Sequence, residues 1–159
     1  MASWQEIEKA VPELAARVTE VMGKGKHKTM ATLRKDGSPR ISGIEVEFKQ
    51  GQVWLGSMLG AVKALDLRRD PRVAIHSPTS DPDEADPGRW SGEAKIAGRA
   101  VEITDERVRE AYGAPPGHDF HLFRVEVAEV VFTCVDADGR HLVIEMWHEA
   151  TGHRVVRRE

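Results

Sequence analysis

Residues 27–58 read HKTMATLR KDGS PRISGIEVEF KQG QVWLGSM, and this grouping decides the fold. The second group is a turn, because Asp36-Gly37 sits between two apolar-rich runs and Gly37 tolerates positive φ without a Cβ penalty. In the third group Ile44, Val46 and Phe48 share one face and Glu45 and Glu47 the other, the period of two of a half-buried strand. Lys49-Gln50-Gly51 then turns the chain into QVWLGS. Strands joined by turns this short pair with their sequence neighbours, so the stretch predicts an antiparallel meander.

Upstream, the period changes to that of a helix. Ser3 and Glu6 form a capping box, and Trp4, Ile7, Val11, Leu14, Val18 and Val21 make an apolar stripe. An N-terminal helix over about residues 3–22 follows, with a kink or restart near Val11 imposed by Pro12. Downstream, Val62, Leu65 and Arg69 suit a short helix that Asp70-Pro71 stops, and RVAIHS is a further strand.

Residues 78–89, PTSDPDEADPGR, form an exposed loop, and EAKIAGRAVEI resumes as a strand. Thr104 and Asp105 cap a short helix ending near Ala111, and YGAPPGHD is irregular. FHLFRVEVAEVVFTCVD gives one long bent strand or two, and RHLVIEMWH with HRVVRR gives a closing hairpin. Six or more strands with few helices predict a mainly β, antiparallel, closed or nearly closed barrel that hides its edges. The barrel occupies about residues 27–159, and the whole of 1–159 is expected to be one domain.

Composition narrows the function. A net charge of -3 and a pI near 6.2 argue against a nucleic-acid binder, which carries a strongly basic face. Cys134 is the single cysteine and cannot close an internal disulfide. The start, MASWQEIEKA, lacks the basic and apolar regions of a signal peptide, and no apolar run approaches the roughly 20 residues of a membrane span. The expectation is a cytoplasmic protein with neither membrane nor nucleic acid as partner.

Several chemical motifs fail on spacing. GKGKHKT at 23–29 leaves a helix for a strand, the reverse of a phosphate loop. A calcium loop starting at Asp81 would need a glutamate where Gly92 stands. His118 and His121 lie close but have no cysteine beside them, so no metal site is predicted. Cys134 sits in an apolar strand and reads as packing, and Ser57 lacks the flanking glycines of a hydrolase elbow. Ser57 to Lys63 is different. A hydroxyl at a strand end, free amides at a helix start and a lysine in the first turn converge as donors for an anion such as a phosphate. Arg40, at the start of the preceding strand, and Arg68 and Arg69 add positive charge nearby. The same Ser57 also suits a plain helix cap.

ATLRKDGSPRISGIEVEF followed by VWLGSMLGAVKALDLRRDPRVAI resembles the flavoproteins related to pyridoxamine 5'-phosphate oxidase. The resemblance is clearest over residues 28–77 and extends through AKIAGRAVEI. It implies an FMN-binding type of split β-barrel and hydride transfer between FMN and a small organic substrate. A deazaflavin coenzyme, or a flavin carrier or sensor without turnover, stays open as an alternative. It also implies a homodimer with cofactor sites at the interface. By resemblance, Ser57 and Lys63 hold the phosphate with Arg40; Ile41, Ser42 and Gly43 run beside the ring; Met58 and Ala61 border it; and Trp90 approaches from the partner chain. Two departures matter. Ala61 and Val62 stand where the oxidases carry a serine and an arginine, and EMWHEATGHRVVRRE does not match their C-terminal substrate signature. The substrate is therefore expected to differ, and no residue is assigned as a catalytic acid or base.

Overall fold

A computed structural model describes residues 1–159. The N-terminal stripe folds as two helices, α1 (Trp4–Ala10) and α2 (Pro12–Met22), broken at Val11, whose φ of -140° leaves the helical range. The Ser3–Glu6 capping box is present, and Pro12 opens α2, where its missing N–H costs nothing. Together the helices bury Trp4, Ile7, Leu14, Val18 and Val21 against the barrel.

The meander forms as the alternation dictates: β1 (His27–Leu33), β2 (Pro39–Lys49) and β3 (Gln52–Met58), each antiparallel to the last. Ile44 and Val46 enter the core while Glu45 and Glu47 stay exposed. After α3 (Val62–Arg69) come β4 (Arg72–His76), a single 3-10 turn (Pro87–Arg89), β5 (Glu93–Glu102), α4 (Glu106–Tyr112), β6 (Phe120–Val135), β7 (Leu142–His148) and β8 (Gly152–Arg158). The strand order is β3-β2-β1-β4-β5-β6-β7-β8, and a further β3–β6 pairing closes the first six into an antiparallel barrel of the split type. No helix is long and apolar enough to cross a membrane.

Closure departs from the sequence reading in its agent. The β7–β8 hairpin does not close anything. Strand β6 is continuous and bent: its first half pairs with β3 (Ser57 opposite His121) and its second half with β7 (Val130 opposite Trp147), while β5 runs along its other edge. A register shift at Ala97/Gly98 bends β5 to follow it, and a Cβ on Gly98 would lie 2.0 Å from the Glu126 carbonyl oxygen. Helix α3 forms where the spacing places it and stops before Asp70-Pro71, but it buries another face. Val62 and Leu65 are 54% and 44% exposed, and the helix packs instead through Ala64, Leu67 and, unexpectedly, Asp66. A small second core of Trp54, Ile103 and Leu122 lies beneath α4, sealed by Val108, Tyr112 and Phe120.

Candidate functional site

The chain leaves β3 through a tight turn. The Ala61 amide donates to the Met58 carbonyl (3.1 Å), and Gly60 takes φ +72°, which a β-carbon would resist. Ala61 precedes α3 and provides no side-chain cap, so the amides of Val62 and Lys63 donate to no backbone carbonyl. Ser57 does not serve as that cap. Its Oγ is enclosed and has no hydrogen-bond partner, a state that costs about 1–3 kcal/mol in a buried polar group. Lys63 Nζ donates to the Gly43 carbonyl at 2.6 Å. That carbonyl is accessible because β2 pairs with β3 only from Glu45 onward, leaving the edge of residues 40–44 without a strand.

These groups border one cleft of about 670 Å3, within the range of ligand sites. Gly43, Ser57, Met58, Ala61 and Lys63 line one part of it, while Glu45, Glu47, Trp54, Tyr112 and Phe120 line the rest. Tyr112 donates its hydroxyl to Glu47 Oε2 at 3.0 Å, and its ring lies 5.0 Å from that of Trp54. Burial, then the Glu47 carboxylate, pushes the Tyr112 phenol up to about 12. It is a hydrogen-bonding wall rather than a titrating group. Lys49 Nζ sits 4.6 Å over the same ring and also donates to the Tyr112 carbonyl.

Of the residues singled out by sequence, the structure gathers Gly43, Ser57, Met58, Ala61 and Lys63. Ile41 is 74% exposed and Ser42 half-buried, both on the strandless edge of β2 and outside the cleft lining. Arg40 lines a neighbouring cleft with Arg34, Val62, Leu65 and Arg69, where its Nε donates to Asp66 Oδ2 at 2.7 Å. Trp90 follows the 3-10 turn and donates Nε1 to the Ser80 carbonyl at 2.7 Å, away from the cleft of its own chain.

Two buried arrangements escaped the sequence reading, which passed over Asp66 and weighed His121 only as a metal ligand. Asp66 is 2% exposed and accepts from Thr32, Arg40 and Arg69. His121, also buried, accepts from the Gly60 amide at Nε2 (3.3 Å), so its proton lies on Nδ1, toward Glu102 Oε1 at 2.7 Å. Arg68 holds the other oxygen of Glu102 at 2.8 Å. No local signal marked either arrangement, because Thr32, Arg40 and Glu102 reach these groups from strands distant in the sequence. Asp136, Asp138 and His141 also converge, at the β6–β7 turn, where the two carboxylates accept from the amides of Arg140 and His141. Cys134 packs half-buried against the core, and burial pushes its thiol up.

The family model described as pyridoxamine 5'-phosphate oxidase matches residues 16–134, well over half of the chain. Curated protein sequences give no match. Among solved structures, PhzG of Burkholderia lata 383, in complex with tetrahydrophenazine-1-carboxylic acid, superposes with a TM-score of 0.61 at 13% identity, covering 98% of this chain and 93% of that one. A conserved hypothetical protein of Mycobacterium tuberculosis gives 0.55 at 22% identity over 72% of this chain and 81% of that one. A heme binding protein of Mycobacterium smegmatis gives 0.54 at 15% identity over 92% and 88%. At such identities the likeness is one of fold.

Proposed function

Since the chain belongs to the pyridoxamine 5'-phosphate oxidase family, we propose that it is a flavin-dependent oxidoreductase whose cofactor, FMN, lies in the cleft between β2, β3 and α3. The carrying observation is the enclosed Ser57 hydroxyl. It is a polar atom with no partner in the protein, beside an uncapped helix start and the Lys63 ammonium. A phosphate is the group that uses all of these donors at once.

In this reading Ser57 Oγ, the Val62 and Lys63 amides and Lys63 Nζ hold the phosphate. The free edge of Ile41, Ser42 and Gly43 offers backbone groups to the ring, and Met58 and Ala61 border it. Arg40 supports the corner from the adjoining cleft. Bound flavin supplies reversible two-electron transfer, chemistry that the side chains alone lack. The protein's part is placement. Lys63 offsets the phosphate charge, Tyr112 and Glu47 fix a polar wall, and Trp54 and Phe120 keep water from one side.

The reading includes a homodimer. Ile41, Met58, Leu59, Val62 and Leu65 are all large, apolar and exposed; Met58 and Leu59 line the cleft, and Val62 and Leu65 the one beside it. A second copy covers such a face, and Trp90 of the partner subunit then approaches the ring.

The test is a titration of the purified protein with FMN and with riboflavin, which lacks the phosphate. FMN is expected to bind the more tightly, and Lys63→Ala to remove about 1.5–3 kcal/mol of that advantage, the worth of a charged hydrogen bond. Equal affinity for the two flavins overturns the reading. Binding of a deazaflavin coenzyme alone moves the cofactor to that alternative, for which the small Ala61 and Val62 leave room.

A further inference from the structure

Helix α3 and strand β2 are joined by two bonds that run in opposite directions. Lys63 on α3 donates to the Gly43 carbonyl on β2 at 2.6 Å. Arg40, three residues earlier on β2, donates Nε to Asp66, three residues later on α3, at 2.7 Å. Thr32 on β1 adds its hydroxyl to the same carboxylate oxygen at 2.9 Å. Arg69 reaches the other oxygen at 2.9 Å and the Leu33 carbonyl at 2.6 Å.

An aspartate at 2% exposure is an odd choice for a helix that already packs through Ala64 and Leu67. Apolar residues of similar size often replace buried ion groups without loss of stability, so packing alone does not call for an acid here. A carboxylate supplies direction, which an apolar contact does not. Its oxygens accept only along defined approaches, and its donors come from β1, β2 and the end of α3 itself. The bonds therefore fix both the rotation and the axial position of a helix only eight residues long. Lys63 stands one turn before Asp66 and inherits that placement.

We infer that Asp66 is a positioning residue for the anion-holding corner: through Arg40 and Thr32 it sets α3 so that Lys63 and the free amides of its first turn meet the Ser57 hydroxyl. The inference rests on the reading of that corner as a phosphate site. It recasts Arg40 as the link between strand and helix, with its Nε committed to the carboxylate. Burial alone would raise the Asp66 carboxyl, but the donors from Arg69, Arg40 and Thr32 outweigh it and hold the group below its ordinary range.

The experiment uses the full chain and four variants: Asp66→Asn, Lys63→Ala, the two combined, and Thr32→Val. For each, the affinities for FMN and riboflavin are measured with the melting temperature, and the preference for FMN is the readout. Asp66→Asn is expected to lower that preference by about tenfold or more while leaving riboflavin affinity near wild type. The double variant is expected to be no worse than Lys63→Ala alone, because Asp66 acts through the placement of Lys63. Thr32→Val, which removes one donor and no charge, is expected to lower the preference by a smaller factor and keeps the test open if Asp66→Asn does not fold. A folded Asp66→Asn or Thr32→Val protein with unchanged preference overturns the inference. So does an equal loss for both flavins, or strictly additive losses in the double variant. Unchanged preference in Lys63→Ala would instead remove the phosphate corner itself, whatever Asp66 does.

Discussion

Ser57 carries an unusual energetic signature for a small polar residue. Its hydroxyl is desolvated without recompense in the protein alone. Ser57→Ala is therefore expected to leave the melting temperature of the cofactor-free protein unchanged or slightly higher. The same change should weaken FMN binding by about 0.5–1.5 kcal/mol, the worth of one hydrogen bond, with little effect on riboflavin. Calorimetry on both forms checks the pair of outcomes, and a large loss of cofactor-free stability would contradict them. Tyr112 offers a second check, since it is the chain's only tyrosine and its phenolate absorbance can be followed without interference from another. The titration midpoint is expected near 12, where an ordinary tyrosine titrates at about 10. Glu47→Gln should lower it by removing the charge that faces the phenol. Because the folded value is the raised one, the protonated phenol supports the fold fully below about pH 10 and loses that support as pH climbs toward 12.

Among the elements, β5 depends on one close approach. Gly98→Ala would drive a methyl group into the Glu126 carbonyl at the bulge, where both neighbours are backbone. A loss of about 3 kcal/mol or more is expected in chemical denaturation, the scale of overpacking against groups that cannot move aside. Elements set by local pattern were legible in the sequence. The Ser3–Glu6 box, the break at Pro12 and the β1–β2–β3 meander each lie within a few residues of their cause. The face of α3 was not. Val62 and Leu65 have the right chemistry for a core, yet on so short a helix Ala64 and Leu67 fill the contact. The burial of Asp66 was hidden for the same physical reason, since an acid reads as solvated until Thr32 and Arg40 are brought to it by the sheet. That Ser57, Ala61 and Lys63 line one cleft was legible because they lie within one short stretch of chain. The Tyr112 wall was not, because its partners Glu47 on β2 and Trp54 on β3 lie far from α4 along the chain.

At the scale of the molecule, exposed apolar side chains border both clefts beside α3, Met58 and Leu59 the larger and Val62 and Leu65 its neighbour. Val62→Asp combined with Leu65→Asp, both exposed in the single chain, should convert the proposed homodimer into monomers in sedimentation or scattering while the monomer melts near the original temperature. If the proposed homodimer completes the cofactor site at that contact, flavin affinity should fall together with dimerisation. Retained dimers would show that the second copy sits elsewhere. The continuity of β6 has a consequence for how the protein is made. A ribosome delivers β3 long before residues 120–125 emerge and β5 shortly before them, and until then both strands carry naked hydrogen-bonding edges. From the completion of β3 until β6 emerges, the nascent chain thus carries an open, adhesive edge, and that one late strand then seals both flanks. Chaperone dependence and slow maturation are the expected cost of entrusting closure to so distant a segment.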